Sequence, residues 1–255
     1  MRTGPPSARQ RRCRLVWVAL GEDGAVPPRE YTQTRLPLPP GATDLLLVRH
    51  GQSAPAREGE PFPLVDGQGD PPLTELGAEQ GRAVARRLAG AGLAAVYVTT
   101  LRRTRQTAQP LLDATGLAAR VEPDLREVHL GGWEGGVYRR RVAERDPVAL
   151  RVSTEERWDV IPGAEPAAAF AARIRTAVLR INAAHPDERV AVVTHAGVIG
   201  QVLSQASGSR PFAFTHVDNG SLSQVVVAGE RWQFRRFNDT AHLPDDLTPT
   251  AAPPT

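Results

Sequence analysis

The chain has 255 residues, 41% of them hydrophobic and 23 of them glycine, which excludes a collagen, a coiled coil or a wholly disordered chain. It is long enough to bury a core without a metal or disulfide staple. All 31 basic side chains are Arg, and against 28 acids they leave a net charge of only +3. Residues 1–43 hold seven Arg and three acids; the remainder holds 24 Arg and 25 acids, so the body of the chain gives no ground for general nucleic-acid affinity.

Residues 1–43 are rich in Pro and Arg, and residues 244–255 form a Pro/Thr tail; both are expected to be flexible because they carry too little apolar surface to offset ordering. An alternative pairs Leu15–Ala19 with Tyr31–Leu36 as a hairpin. Arg9, Arg11, Arg12 and Arg14 make the arm the one local candidate for nucleic acid. A basic stretch before Leu15–Leu20 superficially resembles a signal peptide, but six apolar residues are too few for a secretory core and far below the ~20 of a membrane span. No membrane partner and a cytoplasmic location are expected. The single Cys13 excludes an intrachain disulfide and a Cys-rich zinc site.

From residue 44 the pattern alternates. Leu45–Val48 is an apolar run of strand length; Leu73–Leu88 has helical periodicity behind Thr74. Ala94–Val98 reads as a strand, Arg102–Thr115 as a helix, and Ala164–Ala184 as a long Ala-rich helix stopped before Pro186. Val190–Val193 is a third buried strand, with a helix from about Val198. Two period-2 stretches, Leu222–Val227 and Trp232–Phe237, close the sheet. Apolar strands separated by helices predict an α/β fold, a three-layer α/β/α sandwich with a mainly parallel central sheet. No internal repeat is present. The expected organisation is an extension over 1–43, one domain over 44–240 and a tail over 241–255.

Ligands of such sheets bind beyond the carboxyl ends of the strands. Leu45–Val48 leads into Arg49-His50-Gly51-Gln52-Ser53, Ala94–Val98 into Thr99-Thr100-Leu101-Arg102-Arg103-Thr104-Arg105-Gln106-Thr107-Ala108, and Val190–Val193 into Thr194-His195-Ala196-Gly197. Each alone has a bland explanation, a polar strand end or a solvated helix face. Together they bring two histidines and several arginines to one edge.

These segments, with Leu125-Arg126-Glu127 and Gly131-Gly132-Trp133-Glu134-Gly135, resemble in chain order the motifs of the histidine phosphatase superfamily, the phosphoglycerate-mutase-like proteins. The resemblance covers about Asp44 to Phe237. It implies a phosphoglycerate-mutase-like fold and phosphoryl transfer without a cofactor or metal, His50 being the nucleophile. It also implies that Arg49, Arg103 and His195 bind the phosphate and that Glu127 is the proton donor. Glu134 and Glu75 stay open as substitutes for the donor. Arg102 and Arg105 are expected to point away from Arg103. The chemistry suits the residue types: neutral imidazole is nucleophilic near neutrality, and the arginine fork binds phosphate while staying charged.

One position departs from the family pattern. Its Asn, which contacts phosphate, is Ala56 here, so an amide is missing or is supplied by Gln52 or a backbone N–H. The Gly-Gly-Trp-Glu-Gly form and the absence of Lys resemble the phosphatase branch more than the mutase branch. The expected function is hydrolysis of a small phosphorylated metabolite through phosphohistidine. Mutase-type phosphotransfer is the alternative, followed by a non-catalytic phospho-ligand-binding module. Val137–Pro162, with Arg139-Arg140-Arg141, is expected to cap the pocket. Those arginines would contact a second anionic group of the substrate or form a solvated face. A homo-oligomer is left open.

Overall fold

The computed structural model describes residues 30–33 and 37–244. Cys13, the arginine arm, the Leu15–Ala19 half of the alternative hairpin and the tail beyond 244 lie outside the described residues. By contacts the chain divides into Met1–Pro37 and Leu38–Thr255, and the elements named here belong to the second unit.

A six-stranded sheet forms the middle layer. Its strands are β1 (Thr43–Arg49), β4 (Ala95–Val98), β5 (Ala119–Val121), β6 (Arg189–Thr194), β7 (Leu222–Ala228) and β8 (Arg231–Asp239), in the order β5-β4-β6-β1-β7-β8. β5, β4, β6 and β1 run parallel; β7 and β8 are antiparallel. A separate two-stranded hairpin joins β2 (Leu64–Val65) and β3 (Gln68–Gly69).

Side-chain alternation divides the core between the two faces. Leu45, Leu47, Val190 and Val192 pack under α5 (Ala167–Ala184) and α6 (Ala196–Ser207), against Phe170, Ile174, Val178, Ile199 and Leu203. Leu46, Val48, Val96 and Val193 pack under α1 (Glu75–Leu88) and α2 (Arg102–Thr115), against Val84, Leu88, Ala108 and Leu111. The fold is thus three-layered α/β with a mainly parallel sheet, as the apolar runs predict. Thr74 caps α1 by accepting from Gly77 N at 3.1 Å.

Two differences have local causes. α6 begins at Ala196, two residues before the expected start, because His195 stands in extended conformation as its N-cap. β5 was not foreseen, since all three of its residues are exposed and show no apolar pattern. Between sheet and α5, the segment expected to cap the pocket folds into two short helices, α3 (Val137–Ala143) and α4 (Pro147–Glu155). They pack with Trp133 and Ile161 in a small core of their own. Among the described residues, no helix is long and apolar enough to cross a membrane.

Candidate active site

Parallel pairing brings three strand ends level. Arg49 is in register with Thr194, Val98 with Val193, and His50 N donates to Thr194 O at 2.9 Å. The residue after each strand is therefore His50, Thr99 or His195, side by side at one edge. The two imidazoles meet edge to face with ring centres 5.2 Å apart. Gly51 is required by crowding: a side chain there would collide with the backbone of Gly77, at the start of α1.

The hydrogen bonds of His50 select its tautomer. Nδ1 lies 2.7 Å from Gly51 O, an acceptor only, so Nδ1 carries the proton and donates. Nε2 is then the lone pair, and it accepts from Arg103 Nε at 3.2 Å. Burial, followed by the nearby Arg103 and Arg49 charges, holds the imidazole well below its usual pKa. Arg103 is itself buried and lowered to about 10 by desolvation; its NH1 donates to Gly69 O at 2.9 Å. Arg49 is anchored through NH1 on Val217 O, while its buried Nε has no protein partner.

His195 is fully buried, and its Nδ1 likewise has no protein partner. Its Nε2 lies 3.1 Å from Thr99 Oγ1, which is 3.1 Å from Thr104 Oγ1; Thr104 donates to Leu101 O at 2.9 Å. A buried N–H of Arg49 and a buried ring nitrogen of His195 thus stand without partners beside His50, and such groups cost free energy until a partner arrives.

Glu127 lies in the stretch after a 3-10 turn at Pro123–Leu125, against the start of α6. Its Oε1 accepts from Val128 N at 3.0 Å and its Oε2 from Gly197 N at 3.2 Å. A side chain at Gly197 would put its Cβ 2.5 Å from Glu127 Oε1, so the glycine makes room for the acid. Burial raises the carboxyl pKa, partly opposed by those two amides, Arg103 and Arg49. The group is biased toward its protonated form beside cations, which suits a proton donor.

Of the substitutes for the donor, one is engaged elsewhere and the other lies outside the cavity. Glu134 accepts from Leu130 N and Gly69 N, each at 2.8 Å, and so staples the Gly131–Trp133 turn to β3. Glu75 is exposed in the first turn of α1. Arg102 turns away to pair with Asp70 at 2.8 Å, and Arg105 is exposed. Gln52 lines the cavity; its side-chain carbonyl accepts from Thr74 Oγ1 at 2.9 Å.

At the departure from the family pattern, Ala56 faces the start of α3: a side chain at Gly136 would put its Cβ 3.1 Å from Ala56 Cβ. One turn on, Arg139 reaches back to Ala54 O at 2.7 Å and Ser53 Oγ at 2.8 Å. Its charge opposes protonation of His50 and lowers the pKa of Arg49 and Arg103, so it acts on the same centre. Of the three consecutive arginines, Arg140 is exposed and Arg141 pairs with Asp146 at 3.1 Å.

Sequence reasoning assigned no role to Thr99, Thr104, Gln68 or Arg173. Gln68 Nε2 and Arg173 NH2 both donate to the main-chain carbonyl of Glu127, at 2.7 and 2.9 Å. The position of Thr99 at a strand end was a signal; Arg173, on a helix 46 residues beyond Glu127, offered none. Among the described residues, no group of three or more His, Cys, Asp or Glu could hold a metal ion. Arg49, His50, Arg103 and Glu127 line a cavity of about 1380 Å³ that extends under α3 and α4.

The family model of the histidine phosphatase superfamily (branch 1) matches residues 45–240. A metal-independent phosphoserine phosphatase of Arabidopsis thaliana is 31% identical over 208 residues, covering 79% of this chain and 83% of that protein. A phosphoglycerate mutase-like protein 4 of the same plant is 33% identical, covering 78% and 86%. The structure of a mycobacterial glucosyl-3-phosphoglycerate phosphatase superposes with a TM-score of 0.63 at 29% identity, covering 78% of this chain and 99% of that one.

Proposed function

The chain belongs to the histidine phosphatase superfamily, and we propose that within it the protein is a metal-independent phosphomonoester hydrolase that works through phosphohistidine on a small phosphorylated metabolite. The observation that carries this reading is the orientation of His50, with Nδ1 donating to Gly51 O and Nε2 presented beside Arg103. In the first step Nε2 bonds to phosphorus as the bond to the alcohol oxygen breaks, and Glu127 gives its proton to that oxygen. In the second, Glu127 takes a proton from water as the water oxygen bonds to phosphorus and the N–P bond breaks. The products are the alcohol and inorganic phosphate.

The charge at phosphorus is met by fixed groups. Arg49, Arg103 and the Nδ1 of His195, protonated against the substrate's anion, bind the equatorial oxygens, and Arg139 adds positive potential from the cap. These donors are held before substrate arrives, so little reorganisation is needed during transfer. The test is hydrolysis of 4-nitrophenyl phosphate by purified protein with and without EDTA. The reading predicts turnover that chelation leaves unchanged and that yields inorganic phosphate. Full dependence on added divalent metal would overturn it, and phosphate returned to the alcohol carbon skeleton instead of released would favour a mutase.

A further inference from the structure

The proposed phosphate-binding groups line a cavity whose volume, about 1380 Å³, exceeds the roughly 300–1,000 Å³ of an ordinary small-molecule site. The remainder must accommodate the alcohol. Its direction follows from the proton donor, because the leaving oxygen has to lie against Glu127. Tyr138 lies near that acid, since burial and then the Glu127 charge push its phenol up to about 12, and the lining around it is aromatic. Tyr138 packs edge-on to Trp158 with ring centres 5.8 Å apart, and Trp158 lies 4.9 Å from Phe212. All three rings are partly exposed and line the cavity, and Leu130, three residues after the acid, fills the gap between this wall and the main core.

Three arginines around this wall stand beside carboxylates in solvent-exposed pairs. Arg210 pairs with Glu156 at 2.6 Å, Arg140 lies 3.8 Å from Glu144, and Arg57 lies 3.7 Å from Glu60. Arg139 is bound to Ser53 and Ala54 and covers the Phe62 ring at 5.4 Å. The exposed Arg145 has no carboxylate partner among the described residues, so a leaving group with its own anion is the rival to be separated.

Resting on the phosphatase reading, we propose that the substrate's alcohol is uncharged and carries an aromatic ring system, seated against Tyr138, Trp158 and Phe212 as its oxygen departs toward Glu127. Offset and edge-to-face ring contacts add to the gain from burying apolar area, and a row of three rings supplies both. A second carboxylate on the alcohol, such as that of phosphoserine, would find along this wall only the exposed Arg145 without a carboxylate beside it.

The experiment uses primary alkyl phosphates, whose alkoxides leave with similar difficulty, so that differences in kcat/KM report contact with the wall. Ethyl phosphate, 2-phenylethyl phosphate, 2-(1-naphthyl)ethyl phosphate and O-phosphoserine are compared. The proposal predicts that kcat/KM rises at least tenfold from ethyl to naphthylethyl and exceeds that of O-phosphoserine by at least tenfold. It also predicts that Phe212→Ala and Trp158→Leu each lower the naphthylethyl-to-ethyl ratio at least threefold. A ratio is independent of the folded fraction of a variant. A smaller rise, a preference for O-phosphoserine, or ratios unchanged in both variants would overturn it. Hydrolysis of 4-nitrophenyl phosphate that requires His50, measured on the same preparation, reports on the phosphatase reading separately. If that is present while the series is flat, only the substrate inference falls; if it is absent, both fall.

Discussion

Arg173 on α5 donates to the main-chain carbonyl of Glu127 at 2.9 Å, and the same guanidinium holds the carbonyls of Asp124 and Arg126 at 2.6 and 2.8 Å. Glu165 fixes that guanidinium through two bonds of 2.7 and 2.9 Å. The stretch from Arg126 to Leu130 has no regular secondary structure, so its path is set by these side chains and by Gln68. With Glu127 as the proposed proton donor, Arg173 is its positioning residue.

Arg173→Lys keeps the charge and loses the fork. It is expected to lower stability by about 1–3 kcal/mol in urea titration, as lost hydrogen bonds to a charged group do. Hydrolysis of an alkyl phosphate is expected to slow about tenfold, and phosphoryl transfer from an aryl phosphate much less. Equal slowing of both substrates would show that Arg173 supports the fold without aiming Glu127.

The leaving-group contrast is sharper for the acid itself. Glu127→Gln should slow alkyl phosphates by roughly 10²–10⁴-fold, the usual contribution of general acid catalysis. The burst of nitrophenolate should change little, because that leaving group departs without a proton. Equal slowing would move the role elsewhere, although Glu134 is already bonded to two backbone amides.

Thr99→Val should behave oppositely. It removes the oxygen 3.1 Å from His195 Nε2 and leaves that nitrogen buried without a partner. The loss is expected at about tenfold in kcat/KM, near the cost of an unsatisfied buried group. It should be the same for aryl and alkyl substrates if His195 serves the transferred phosphate as proposed. A loss confined to alkyl phosphates would place Thr99 in the service of the acid.

Much of this architecture was legible in the sequence, for physical reasons. Leu45–Val48 and Val190–Val193 are buried on both faces, and an unbroken apolar run is the mark of that environment. The histidines follow those runs directly, so sheet topology alone brought them together. The supports were not legible, because they come from distant elements. Gln68 sits on a two-residue strand and Arg173 on a helix face, and nothing local shows where either side chain reaches. The run Arg139-Arg140-Arg141 does not reveal that only the first turns toward the centre; that depends on the small Ala56 and Gly136 where α3 meets the loop.

The buried histidines also predict a pH effect on stability. His50 and His195 are both held well below their ordinary pKa, chiefly by desolvation. Below about pH 6.5 the unfolded chain binds protons there that the folded chain does not, so stability falls as pH drops, by at most about 1.4 kcal/mol per unit for each. Glu127, whose pKa is raised, acts in the opposite sense above its ordinary 4.5, since the folded chain keeps a proton that the unfolded chain sheds. Urea midpoints measured at pH 7 and 5.5 should differ less in His50→Gln than in the parent protein. An identical difference would mean that His50 is not held neutral by the fold.

The central claim is that His50 Nε2 carries the phosphoryl group. The most direct measurement is to mix the protein with ³²P-labelled aryl phosphate, quench it within a turnover, and locate the label by peptide mapping. The account predicts a base-stable, acid-labile phosphate on His50, near one per protein in the burst, and none in His50→Ala, with turnover of that variant down far more than the tenfold that ~1.4 kcal/mol represents. Label on another residue, or steady turnover in His50→Ala within tenfold of the parent, would contradict it.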